Sequence, residues 1–372
     1  MTNGKIEVRP TVSLETPADL SRSYTPGVAD EAKDIGRDPG TLRRHTAMAN
    51  SVAVVTDGSA LLGLGDCGPA AALPVMEGKA ALFKRFAGVD AWPICLHSRE
   101  PDDIVRTVCD ISTGFGAINL EDISAPRCFE VERRLQAELD IPVFHDDQHG
   151  TAVVVLAALF NALQVTDRRL EEDRIVISGA GAAGSAIVRL LLHVGADPAR
   201  IVVCDSKGAL VPGRDGVSGE KAWLAEHTNT ARATGSLQEV LRGADVFVGV
   251  SAAGLLSGED VAAMADDPVV FALANPDPEV DPEAAREHAA VLATGRSDLP
   301  NQINNVLVFP GVLRGLLDTR VRSLTIDMQS AAAHALADVV DRDALDAGHI
   351  VPSVFDERVV PAVAGAVGEA TL

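Results

Sequence analysis

The chain has 372 residues and a net charge of −21, from 32 basic and 53 acidic side chains. With 47% hydrophobic and 23% charged residues it has the balance of a folded globular protein, and its length suits two domains of roughly 150–200 residues each. A surface this acidic repels nucleic acid and anionic membrane, so neither is expected as a partner.

The N-terminal decapeptide MTNGKIEVRP lacks the apolar core of a signal peptide. Tyr24, the sole tyrosine, lies in the turn Ser23-Tyr24-Thr25-Pro26-Gly27-Val28. A phenol in such a place is either a packing residue at a loop boundary or a proton donor. The β-branched run Ser51–Thr56 predicts a strand, followed by a Gly-rich stretch, Gly63–Pro69. Only six basic residues are lysines, so two in one short segment, Lys79 and Lys84, stand out. A helical pattern covers Pro101–Asp110. Short strands are expected at Ala117–Leu120 and Ile141–Phe144, each followed by an acidic pair, Glu121-Asp122 and Asp146-Asp147. The five cysteines, Cys67, Cys95, Cys109, Cys128 and Cys204, form no CxxC and read as reduced thiols, which suits a cytoplasmic protein.

The second half alternates more cleanly. An apolar stretch from Thr151 to Val165 is too short to span a membrane and predicts a buried helix. Strands are expected at Arg174–Ser178, Ile201–Cys204, Ala244–Val250, Val269–Leu273 and Val291–Ala293, with a helix over Ser185–Val194. The whole is read as an α/β protein. An N-terminal α/β catalytic domain spans 1–150, and a Rossmann-like, doubly wound parallel-sheet domain spans 151–325. An Ala-rich helical segment, 326–372, is expected to pack back on the first domain.

Gly179-Ala180-Gly181-Ala182-Ala183-Gly184 follows a predicted strand and opens a predicted helix, and Asp205 ends the next strand. That context turns a GxGxxG pattern into a dinucleotide fingerprint: glycines admit a pyrophosphate, and the helix N-terminus stabilises its charge. Asp205 suits the ribose hydroxyls of NAD, whereas Lys207 suits the 2′-phosphate of NADP, and the choice stays open. The two acidic pairs could supply three oxygens to a hard divalent ion, Mg²⁺ or Mn²⁺, or be exposed loop ends. Lys79 is a surface lysine or, beside an acidic metal site, a general base; burial and a cation would both lower its pKa. His145 and His149 have the spacing of a zinc HExxH site, but Asp146 stands where Glu is required and Gly150 makes a continuous helix doubtful.

Taken together, the segments resemble the malic enzymes, in their short bacterial form. The resemblance runs over SYTPGVA (23–29), VTDGSALLGLGDCGP (55–69), PVMEGKAALFK (74–84), INLEDISAPRCFE (118–130), IPVFHDDQHGTA (141–152), GAGAAG (179–184), FALANPDPE (271–279) and GRSDLPNQINNVLVFPG (295–311). It implies metal-dependent oxidative decarboxylation of malate to pyruvate and carbon dioxide with NAD or NADP, in a homodimer. It also implies roles: Glu121, Asp122 and Asp147 as metal ligands, Lys79 as base with Asp146 beside it, Tyr24 as acid. Asn275, Asn304 and Asn305 fall near substrate, and Asn275 near the nicotinamide as well. Two departures stand out. Ser59-Ala60-Leu61 replaces a segment that carries a carboxylate-binding arginine in the long forms. Asp66-Cys67 stands where the short forms commonly have Asn-Ile, and the added carboxylate is expected to affect metal or substrate binding. The alternatives are an oxaloacetate decarboxylase or related 2-hydroxy-acid oxidoreductase, or a catalytically inactive NAD(P)-binding protein.

Overall fold

The computed structural model describes residues 4–61 and 63–371; the first three residues of the N-terminal decapeptide, Leu62 of the 55–69 motif, and Leu372 lie outside the described residues. Ser51–Thr56 (β1) is buried along its whole length. It pairs in parallel with Asp90–Cys95 (β2) on one side and Ala117–Leu120 (β3) on the other, and β3 pairs with Val143–His145 (β4). The resulting sheet has the order β2-β1-β3-β4. Parallel strands with both faces covered read as continuous apolar runs, which is why β1 and β3 are visible in the sequence. The helix Pro69–Ala87 packs on this sheet. Proline opens it and Gly88, at φ 66°, closes it in the left-handed region, so both ends are set by local chemistry.

The second sheet comprises Ile175–Ser178 (β5), Ile201–Asp205 (β6), Gly208–Ala209 (β7), Val246–Gly249 (β8), Val269–Ala272 (β9) and Val291–Thr294 (β10). Its order is β10-β9-β8-β5-β6-β7, parallel except for the β6–β7 hairpin. After β5 the chain goes first to one neighbour, β6, and later to the other, β8. The C-terminal end of β5 is therefore the switch point at which α/β sheets bind ligands.

Between the sheets runs the helix Thr151–Val165. The Gly-containing segment before it was expected to break a helix. Instead Asp146–Gly150 forms a π-helical turn that continues directly into it. Gly150 is what permits this, because a Cβ there would lie 1.8 Å from Asp146 Oδ1. The combined stretch Asp146–Val165 is long and apolar enough to cross a membrane by length and composition, but most of it is buried inside the fold. The helices Ile326–Ala337 and Val359–Glu369 pack on each other; the first also lies on Thr151–Val165 and the second on Phe309–Thr319. Gly311 and Gly315 allow that last approach, since a Cβ at either would come within 3 Å of the facing helix. Phe309–Thr319 in turn rests on Pro69–Ala87, and Phe355 reaches Phe86 of that helix at 6.1 Å between ring centroids.

Candidate active site

The C-terminal ends of β3 and β4 and the middle of the helix Pro69–Ala87 converge. Asn119 of β3 and Glu121 just past its end are two residues apart, and Asn119 Nδ2 donates to Glu121 Oε2 at 3.0 Å. Lys79 Nζ reaches the same oxygen at 2.5 Å and also pairs with Asp146. The Phe309 ring lies under the ammonium, 4.4 Å from Nζ to centroid. Asp122 sits at φ 52°, which turns its backbone N–H to donate to Asp147 Oδ2 at 2.8 Å. Glu121, Asp122 and Asp147 each bring a carboxylate oxygen within 4.8 Å of the others. The three residues named as metal ligands from the sequence are thus brought together, with Lys79 and Asp146 against them.

The charges do not balance. Lys79, Glu121 and Asp146 are all buried. Burial presses the Lys79 pKa down, but Asp146, Glu121 and Asp147 outweigh it and hold the ammonium well above its ordinary range. By themselves the carboxylates around Nζ stabilise its charge more than burial penalises it, so the lowered lysine expected from the sequence depends on a cation drawing off that negative charge. Asp146 is pushed up by burial and by repulsion from Glu121 against the pull of Lys79. Glu121 is raised for the same first reason. Asp146 Oδ1 is buried without a hydrogen-bond partner among the described residues. An excess of buried anionic oxygen over one ammonium is a donor set that fits a hard divalent cation.

The histidine pair does not form a zinc site. His149 Nε2 is taken by Glu132 at 2.7 Å, and Gln148 donates to the other oxygen of that carboxylate at 2.9 Å. Glu132, missed in the sequence, thus ties down the π turn that carries Asp146 and Asp147. His145 ends β4, fully buried, and burial lowers its pKa to about 4, which keeps the ring neutral.

The loop after β1 closes over this region. Buried Asp57 accepts from Ser59 N at 3.0 Å and lies 3.2 Å from Arg127 Nε. Asp66 is matched by both guanidinium nitrogens of Arg99, at 2.5 and 2.7 Å. The added carboxylate is therefore spent on an arginine and is absent from the acidic cluster. Gly63 passes so close to Asn275 that a Cβ would lie 2.1 Å from its carbonyl oxygen. Asn305 stands over the π turn, its Cβ 3.4 Å from where a Gly150 side chain would begin. The Asn304 side chain instead accepts from Val306 N at 2.9 Å and caps its own turn. Tyr24 is not among the groups around Lys79. It ends the helix Pro17–Ser23, is 66% exposed, and its hydroxyl makes no hydrogen bond among the described residues.

Beside this cluster, a cavity of about 1000 Å³ runs along the C-terminal ends of the second sheet, lined by Ser178, Gly179, Gly181, Asp205 and Ser251 among others. Gly179 has φ 118°, and a Cβ on Gly184 would lie 1.8 Å from the Gly179 carbonyl. Those two glycines make the tight turn. Space above Gly181 is open, and Ala182 and Ala183 begin the helix whose free N–H groups face the cleft. Asp205 accepts from Lys207 N at 2.9 Å, Arg214 at 2.6 Å and Lys221 at 2.8 Å. Burial alone would raise its pKa; these donors overrule it and pull it to about 2. Lys207 also lines the cleft. Arg214 and Lys221 carried no sequence signal, since they lie 9 and 16 residues beyond Asp205 in a Gly-rich loop and the helix after it.

A dinucleotide-type cleft at a sheet switch point, together with a buried lysine and a carboxylate cluster that fits a divalent cation, is the equipment of a nicotinamide-dependent, metal-assisted dehydrogenase. The family model described as "Malic enzyme, NAD binding domain" matches residues 148–371, and "Malic enzyme, N-terminal domain" matches residues 3–101. The chain belongs to the malic enzyme family. It is 55% identical to the NAD-dependent malic enzyme of Geobacillus stearothermophilus over 99% of this chain and 76% of the relative. It is 52% identical to the bifunctional malic/malolactic enzyme of Bacillus subtilis over 100% of this chain and 91% of that one. The solved NAD-dependent malic enzyme of Thermotoga maritima superposes with a TM-score of 0.93 at 47% identity, covering 98% of this chain and 96% of its own. The corresponding activity is oxidative decarboxylation of malate to pyruvate with reduction of NAD(P).

Proposed function

We propose that Lys79 and Tyr24 divide the proton transfers of this reaction, and that they meet only in a homodimer, with Tyr24 delivered to the partner's site. The observation that carries this is the position of Tyr24. It is exposed on an N-terminal arm that also exposes Ile6, Val8, Val12, Leu14, Leu20 and Val28, and the helix Val28–Arg37 buries no residue of its own. An apolar arm of this kind asks for a covering surface, and a second copy supplies one by symmetry.

In this reading Glu121, Asp122 and Asp147 hold the divalent ion. When bound, the ion would supply Lewis acidity for the substrate's C2 oxygen, and the nicotinamide would supply the hydride acceptor. Lys79 Nζ takes and returns the proton of the C2 oxygen, with Asp146 orienting the amine and Phe309 closing its far side to water. Asn275 and Asn305 orient the substrate, one beside the loop that carries Gly63 and the other over the π turn that ends at Gly150. The Tyr24 hydroxyl protonates C3 after carbon dioxide leaves. The protein acts in the cytoplasm, consistent with its free cysteines.

Mixing inactive variants tests the arrangement. A Tyr24→Phe protein and a Lys79→Ala protein, dissociated and reassociated together, give hybrid dimers. If Tyr24 acts across the interface, each hybrid has one intact site, and random pairing recovers about a quarter of wild-type activity. If Tyr24 acts within its own chain, every hybrid site lacks one group and no activity returns.

A further inference from the structure

Strands β8 and β9 end side by side, and one carboxylate closes both. Glu279 is 0% exposed. Its Oε1 accepts from Ser251 N at 2.9 Å, just past β8, and its Oε2 accepts from Ala274 N at 3.0 Å, just past β9. Gly249 makes room for it, since a Cβ there would lie 2.4 Å from the Glu279 carboxyl carbon. Ser251 Oγ is hydrogen-bonded to Ser178 Oγ at 2.8 Å, at the end of β5. Glu279 therefore fixes the rims of three adjacent strands and the residue next to Asn275.

Glu279 has no ion-pair partner among the described residues. Burial pushes its pKa up, and the two backbone amides work against that. Both oxygens meet only donors, which is what the ionised form requires. A buried carboxylate balanced by dipoles alone is costly unless a positive charge visits it.

The layout of the cleft supplies that visitor. Asp205 ends β6 and marks the adenosine end, and the Gly179–Gly184 turn over β5 takes the pyrophosphate. The rest of a dinucleotide then runs on over β8 and β9, where Ser178 and Ser251 line the cavity. A nicotinamide ring is cationic when oxidised and neutral when reduced. We propose that Glu279 is a positioning residue whose buried charge favours the oxidised nicotinamide over the reduced one while holding Asn275 at the ring. This rests on the dinucleotide reading of the cleft and deepens it. The consequence is tight binding of the cofactor that enters the reaction and weaker retention of the one that leaves.

The test uses the intact protein with Mg²⁺ in excess, so that the charge at Glu121, Asp122 and Asp147 stays constant. Reduced nucleotide is titrated by its fluorescence and oxidised nucleotide by competition, for wild type and Glu279→Gln. A unit charge within about 10 Å in a partly screened site is worth roughly tenfold in affinity. The expected result is an oxidised-form Kd raised about tenfold in the variant, with the reduced-form Kd changed by less than about twofold. Equal weakening of both forms, or none, overturns the proposal and leaves Glu279 a structural staple. Gln satisfies only one of the two amides, so a second measurement needs no variant. Wild type is offered the oxidised dinucleotide and its benzamide isostere, in which carbon replaces the ring nitrogen and the ring is neutral. Tighter binding of the cation by about tenfold supports the proposal, and equal affinity overturns it. If wild type binds neither nucleotide, the dinucleotide reading itself fails.

Discussion

The two groups proposed to transfer protons sit in opposite surroundings. Lys79 lies in a buried knot of carboxylates at the ends of two core strands, whereas Tyr24 rides on an arm whose large apolar side chains face outward. The knot is part of the fold's own energetics, since the ammonium and the carboxylates would each be stranded without the other. The arm contributes little to the fold of its own chain. A catalytic group of the first kind is held in place by folding, and one of the second kind by assembly, so damage to the two should leave different signatures.

Lys79→Ala is the harshest way to expose this. Malate-dependent reduction of NAD(P) should fall by about 10³-fold, the size expected for loss of a general base. Because the buried carboxylates then lose their counter-charge, the metal-free protein should also lose about 3 kcal/mol of stability. Added Mn²⁺ should restore part of that in a thermal unfolding scan. An unchanged unfolding temperature would show that the knot carries no folding energy. Tyr24→Phe should be the opposite case. Turnover falls by about 10²-fold, while unfolding moves by no more than about 0.5 kcal/mol, as for an exposed position without partners. A large loss of stability would place the arm in its own chain's core and remove the contrast.

The same contrast explains what was legible in the sequence. β1, β3 and β5 are short, fully buried and mostly apolar runs, and such runs can be read because both faces of a parallel strand are buried. Glu121 and Asp122 follow β3 directly, and Asp146 and Asp147 follow β4, so their convergence could be foreseen. Lys79 was foreseen by motif, but the number of carboxylates that face Nζ in space, Glu121 and Asp146 in direct contact, was not. The π turn was hidden by Gly150, whose helix-breaking character is real in general and is overridden here by the need to seat Asp146. Glu132, Arg214, Lys221 and Glu279 act through partners far along the chain or through backbone amides, and nothing in local spacing marks them. Asn304 was grouped with Asn305 by adjacency, yet one caps a turn and the other stands over the site.

Gly150→Ala probes the buried region without touching a charge. The new Cβ collides with Asp146 Oδ1, so either the carboxylate or the π turn must shift. Overpacking of this sort typically costs 1–3 kcal/mol, so a loss of about 2 kcal/mol is expected, together with a weaker Mn²⁺ Kd as Asp147 moves with the turn. An alanine variant of wild-type stability and metal affinity would mean that the turn is more pliable than its packing implies.

The smallest effect is expected at the rim of the cofactor cleft, a third environment between the buried knot and the open arm. Lys221 is partly exposed and shares Asp205 with Arg214. Two cations on one carboxylate leave positive charge to spare beside the ribose, which favours a 2′-phosphate. Lys221→Ala should therefore raise KM for NADP by about threefold while changing that for NAD less, in keeping with the modest value of a solvated ion pair. Acid unfolding reads the same pairing. Asp205 is held at about 2, below its ordinary carboxylate value, so its ion pairs contribute fully above about pH 4 and are lost as pH falls toward 2. The variant should lose less stability than wild type across that window. An equal acid response, with an unaltered NADP preference, would mean that Arg214 and the Lys207 amide suffice to hold Asp205 and that Lys221 serves only the surface.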